Sequence, residues 1–87
     1  MKIKQGFVIR EIAGQSVVVA LGEASKIFNG MIKLNETGKF IWAQLADGCE
    51  REAIVEAMLR EYDVDRETVN RDVDGFIEVL KGANILE

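Results

Sequence analysis

The sequence predicts an α+β fold in which a three-stranded antiparallel sheet precedes three helices. Two observations predict it. Up to Leu34 the chain is built of short β-branched and aromatic runs bounded by glycine, and from Asn35 onward apolar residues recur at helical spacing. The absence of proline agrees, because nothing forces a kink inside any helix. With 87 residues, 48% hydrophobic and 30% charged, the chain is expected to form one small domain over 1–87 whose core is only just adequate.

Strand one is placed at about 7–12, where Phe7, Val8, Ile9 and Ile12 surround Arg10 and Glu11. Strand two is placed at about 16–21, and Gly14-Gln15 has the chemistry of a tight hairpin loop between them. Both alternating sets of strand two are apolar, Val17, Val19 and Leu21 against Val18 and Ala20. A central strand covered on both faces is the reading of that pattern. Residues 22–28 connect to an Asn29-Gly30 turn, and Ile27 and Phe28 ahead of it leave room for a second small hairpin. Strand three, Met31 to Leu34, follows.

Helix one is expected at about 36–46. Asn35 is its N-cap, Glu36 favours its dipole, and Phe40, Ile41, Trp42 and Leu45 form its apolar side. Asp47-Gly48 breaks it. Helix two, about 50–62, carries the stripe Ile54, Val55, Met58, Leu59 and Tyr62, with Cys49 at the N-cap position and Glu52 at the capping-box position. Helix three, about 66–83, is capped by Asp65, carries Val69, Val73, Phe76, Ile77 and Leu80 inward, and stops at Asn84.

The composition narrows the chemistry. Histidine is absent, which removes the commonest general base near neutral pH and every serine-histidine or cysteine-histidine nucleophile system. The single cysteine, Cys49, has no partner for a disulfide or a paired-cysteine metal site. A thiol at a helix N-terminus can be reactive, but a plain helix cap is the favoured role. Two acidic clusters, Asp63-Val64-Asp65-Arg66-Glu67 and Asp72-Val73-Asp74-Gly75, echo a calcium loop; the first lacks the central glycine and closing glutamate, and the second lies inside a helical period. No catalytic residue, metal or cofactor is therefore assigned. Trp42 and Tyr62 lie on apolar helical stripes and are read as core.

Net charge is −4, distributed as +3 over residues 1–44 and −7 over the remainder. An acidic helical half repels phosphate, so nucleic acid is not an expected partner. No run of apolar residues is long enough to span a membrane, and Met1 to Gly6 does not open a secretion signal. A cytoplasmic location without membrane contact is expected.

Binding is left as the function. Strand three ends the sheet, so one of its edges is open to an extended peptide. On helix three Asp72, Gly75, Val79 and Gly82 form a flank beside the core stripe. Glycine in a helix costs about 1 kcal/mol against alanine; a close approach by a ligand backbone would explain it, as would another helix packing near or simple exposure.

The run Phe28-Asn29-Gly30-Met31-Ile32-Lys33-Leu34-Asn35-Glu36-Thr37-Gly38-Lys39-Phe40-Ile41-Trp42 resembles the LNxTGxxIW signature of the PqqD family, the recognition elements for precursors of ribosomally synthesised, modified peptides. Asp47-Gly48 with Cys49 to Glu52, Tyr62-Asp63-Val64-Asp65, and Arg71-Asp72-Val73-Asp74-Gly75-Phe76 with Leu80 and Asn84-Ile85-Leu86 continue the resemblance in order. Cys49 departs from the usual hydroxyl cap, and no residue marks pyrroloquinoline quinone biosynthesis in particular.

The resemblance implies a small winged-helix-like domain that takes a leader peptide as an extra strand on strand three. Apolar leader side chains then enter a groove against helix three, and the peptide is presented to a modifying enzyme, commonly a radical SAM protein. Carried onto this chain, strand three becomes Met31, Ile32, Lys33 and Leu34 and the groove wall lies on helix three, where helical phase selects Asp72, Gly75 and Val79 as the peptide-binding residues. By strand and helical phase, Ile32 and Val79 are expected to line the pocket, Lys33 to meet an acidic leader side chain, and Asp72 to meet a basic one or hold helix three. Replacing Ile32 by Asp is expected to abolish binding and leave the fold intact. The rival reading is a winged-helix DNA-binding module, and a weak homo-oligomer through the strand edge is a third.

Overall fold

The computed structural model describes residues 1–87. Strands β1 (Phe7–Ile12), β2 (Gln15–Ala20) and β3 (Ile32–Leu34) form an antiparallel sheet in the order β1-β2-β3. Helices α1 (Glu36–Asp47), α2 (Arg51–Glu61) and α3 (Arg66–Gly82) follow. The predicted elements are all present, with ends shifted by one residue or so: β2 starts and stops one residue early, β3 omits Met31, and α2 and α3 are slightly shorter.

The hairpin turn is Ala13-Gly14, not Gly14-Gln15. Ile12 pairs with Gln15, and both loop residues have positive φ, +52° and +79°. That conformation matches the twist of the flanking strands but costs an alanine more than a glycine or asparagine.

β2 is central, as expected, but its two faces differ. Val18 is fully buried in the core cluster together with Phe7 and Leu34, and Ile9, Ala20 and Ile32 pack half-buried against that cluster. Val8, Val17 and Val19 point the other way and lie outside the cluster. Val17 is nonetheless buried, between its cross-strand neighbours Arg10 and Lys33. The apolar second face thus reflects shielding within the sheet rather than a second layer.

No second hairpin forms before β3. Residues Gly22–Lys26 make a 3₁₀ turn, and the amides of Ile27 and Phe28 both donate to the Ala24 carbonyl, at 3.0 and 3.1 Å. Those amides are consequently unavailable for a strand ladder.

The helical stripes bury Ile41, Trp42 and Leu45 on α1, Ile54, Val55 and Met58 on α2, and Val69, Val73, Ile77 and Leu80 on α3, while Phe40, Leu59, Tyr62 and Phe76 of the same stripes are half-buried. Tyr62 packs edge-to-face on Phe40, with centroids 5.5 Å apart. Arg51 at the start of α2 reaches across to α3. Its Nε donates to Asp74 Oδ1 at 2.5 Å, and its second terminal nitrogen donates to Asp74 Oδ2 at 3.0 Å and Asn70 Oδ1 at 3.1 Å. This forked bond ties the two helices in one phase.

Asn84 ends α3 as expected. Its φ is +61°, its amide donates to the Lys81 carbonyl, and the Ile85 amide reaches back to Leu80 at 2.9 Å. The final residues then run beside the first: Ile3 bridges Leu86, and the Lys4 amide donates to the Ile85 carbonyl at 2.8 Å.

The α2 cap differs from expectation. Glu50, not Cys49, is the N-cap, and Glu52 bonds Arg51 instead of closing a capping box. Cys49 is held one residue earlier because its amide donates to the Met1 carbonyl and its carbonyl accepts from the Met1 amino group. Burial pushes its thiol above the ordinary range, with the amino group opposing this more weakly. That direction is opposite to the one an activated thiol requires.

Candidate functional site

β3 is hydrogen-bonded on one side only, to β2, so its other edge faces outward. What sets that edge beside a groove is the start of α1. Asn35, directly after the strand, accepts from the Gly38 amide at 2.8 Å and from Thr37 Oγ1 at 3.0 Å. This cap turns the chain sharply and brings Gly38 under Phe76 of α3. A Cβ at Gly38 would lie 3.2 Å from Asn35 Oδ1 and 3.5 Å from both Leu34 Cδ2 and Phe76 Cε1, so a side chain there would press on the capping oxygen and touch the strand and α3.

Two hollows meet at this crossing and share Asn35, Gly38 and Phe76. The first, about 690 Å³, runs from the hairpin turn along Lys33 and Leu34 to Glu36 and Lys39. Its character is polar. Glu11 accepts from the buried Ser16 hydroxyl at 2.5 Å and lies 3.8 Å from Lys39 Nζ, linking the hairpin to α1. The second hollow, about 360 Å³, lies between α1 and α3, with Ile41, Phe76 and Val79 as apolar walls and Thr37, Arg71 and Asp72 at its rim.

The residues expected to bind peptide divide between these features. Asp72, Gly75 and Val79 line the second hollow, and Lys33 and Leu34 line the first. Val79 is 50% exposed despite its apolar side chain, which suits a surface that is covered on binding. Met31 precedes the strand, is 63% exposed, and borders neither hollow. Ile32 also borders neither. Its side chain packs half-buried against the core, so Ile32→Asp would place a carboxylate against apolar neighbours and disturb the fold.

Asn35, Ile41 and Phe76, which sequence spacing assigned to capping or core, and Gly38 and Arg71, which it left without a role, also line the hollows. Phe76 sits at the edge of the α3 stripe and is half-buried, so it serves both. The one sequence signal for Gly38 was its place in the strand-cap-helix motif.

Electrostatics sets the site apart from the rest of α3. Asp74 is held below the usual carboxylate range by its hydrogen bond to Arg51, and Glu56 is held low by its hydrogen bond to Arg66. Lys33, Arg71 and Asp72 form no such pairs and border the grooves with their charges free. No three Cys, Asp or Glu side chains converge in a way that would hold a metal ion. No helix is long and apolar enough to cross a membrane.

Comparison with known proteins bears on this site. Residues 9–86 match the family model described as coenzyme PQQ synthesis protein D (PqqD). Among solved structures, TbiB1 in complex with the TbiA(beta) leader peptide is similar with a TM-score of 0.77 and 34% sequence identity, covering 100% of this chain and 95% of that one. A lasso peptide synthetase B1 complexed with its leader peptide shares the fold, with a TM-score of 0.73 at 19% identity over 97% of this chain and 93% of that one. No curated protein matches. The strand edge, the Asn35 cap and the groove against α3 thus stand in a chain that belongs to the PqqD family.

Proposed function

We propose that this domain captures the leader segment of a ribosomally synthesised precursor peptide by adding it as a strand to β3, and presents it to a modifying enzyme. The observation that carries the reading is the open edge of β3 lying beside a two-part groove. Main-chain hydrogen bonds to the edge supply affinity for any extended peptide, and the side chains of the groove supply choice. Leu34, Gly75 and Val79 offer apolar contact, Lys33 attracts an acidic residue, and Asp72 a basic one. The backbone of Met31 and Ile32 extends the edge. The relatives solved with leader peptides support this reading.

The role is non-catalytic, requires no cofactor, and is exercised in the cytoplasm. A radical SAM maturase is the class of modifying enzyme that the family resemblance favours. Genes beside this one would identify both the enzyme and the precursor.

The nucleic-acid reading finds no support, since residues 45–87, which supply most of the helical surface, carry a net charge of −7. Self-association through β3 would be weak. A second copy added antiparallel in full overlap sets Lys33 opposite Lys33 on the same face, a like-charge pair.

The test is calorimetric titration with synthetic leader peptides of the short precursor genes found beside this one, followed by amide-shift mapping. Saturable binding with shifts at Lys33, Leu34, Gly38 and Gly75 is expected. Absence of heat and of shifts, or shifts confined to the sheet face of Val8 and Val19, would remove the proposal.

A further inference from the structure

Helix α3 contains two glycines, Gly75 in its interior and Gly82 at its last residue. Neither has a positive φ, and a Cβ added to either would meet nothing within 4 Å. The folded chain therefore gives no internal reason for either glycine, although Gly75 weakens the helix. Only their surroundings differ. Gly75 forms part of the wall of the groove between α1 and α3, whereas Gly82 borders no hollow. Across the same groove Gly38 differs, since a Cβ there would touch Asn35, Leu34 and Phe76 of its own chain.

We infer that Gly75 is a specificity-determining position: its bare backbone forms the wall against which one large apolar side chain of the bound peptide packs, and it sets the size of residue admitted there. The inference rests on the peptide-binding reading and adds to it the chemistry of one peptide position. Ile41, Phe76 and Val79 supply the remaining apolar walls, so the favoured group is apolar, and the exposed Arg71 and Asp72 line the same groove. A methyl at Gly75 narrows the slot from the ligand side alone. It should therefore strengthen the free protein and weaken the complex, an opposition that a purely structural glycine does not produce.

A random-peptide library displayed on its own mRNA provides the probe, selected in parallel against the wild-type chain, G75A, G75L and G82A. The wild type and G82A are expected to enrich one consensus with a large apolar residue at a fixed position. G75A should shift that position to smaller residues and bind the wild-type winner roughly tenfold more weakly, the usual scale of overpacking a filled site. G75L should lose the preference. Thermal melts separate this from unfolding, because G75A should melt about 4 °C or more above the wild type. An unchanged consensus and unchanged affinity for G75A would overturn the role of Gly75 and leave peptide binding standing. Failure of the wild type to enrich any peptide would overturn both.

Discussion

Asn35 is the residue through which the fold and the groove depend on each other, and its removal has a calculable cost. Its carboxamide oxygen accepts from the Gly38 amide at 2.8 Å and from Thr37 Oγ1 at 3.0 Å, and its carbonyl receives the Lys39 amide at 3.0 Å. Asn35→Ala removes the first two bonds and keeps the third. Losing an N-cap costs about 1 kcal/mol in general. Here the orphaned amide belongs to a buried glycine that water reaches poorly, so the upper part of the range, about 1–2 kcal/mol, applies. For a domain of this size each kcal/mol moves the melting temperature by about 4–8 °C, so Asn35→Ala should melt roughly 5–15 °C below the wild type. Asn35→Asp keeps an oxygen in the same place and adds a charge that the helix dipole favours, so it should melt within a few degrees of the wild type. Circular dichroism melts of the three proteins provide the assay. An alanine variant as stable as the wild type, or an aspartate variant as weak as the alanine one, would show that the cap does not hold the start of α1.

Two further outcomes are expected. Ala13→Asn replaces a strained alanine at φ +52° by a residue at home there and creates an Asn-Gly turn, so it should raise the melting temperature by about 4 °C, while Ala13→Val should lower it. Equal melting of all three would mean that the turn carries no strain. On acidification, Asp74 is held low by its hydrogen bond to Arg51, Glu56 by its hydrogen bond to Arg66, and Asp65 by its hydrogen bond to Thr68. Groups whose folded value lies below the unfolded one contribute stability above the ordinary carboxylate range of about 4, and lose it as pH falls through the lowered values. Melting temperatures recorded downward from pH 7 should hold until about pH 4 and then fall, with a shallower fall for Arg51→Gln. An identical pH profile for that variant would exclude the Arg51–Asp74 pair as a contributor.

The helices could be read in advance because their signals are local. Stripes such as Val69, Val73, Ile77 and Leu80 recur at a spacing that one face must bury, whatever lies opposite. The open edge of β3 followed in the same way from strand order. What escaped was decided by contacts distant in sequence. Cys49 had the right offset for a cap, but the pairing of its backbone with Met1 moved the cap to Glu50. Ile27 and Phe28 had strand-like side chains, yet their amides were taken by Ala24. Ile32 and Phe76 show the same limit at the site itself. Alternation and helical phase say which way a side chain points, but only assembly shows that Ile32 turns to the core and that Phe76 divides two hollows.

The two ends of the chain clasp one another at the far tip of α1, where the Glu87 amide meets the Lys2 carbonyl at 2.9 Å and Gly48 closes the helix. The groove begins at the other tip, twelve residues or about 18 Å away. A tether spliced onto either terminus would leave from the same corner, well clear of the guest strand. The domain is thereby suited to being carried as a cassette within a larger polypeptide, entered and left at a single point, with its receiving side turned outward.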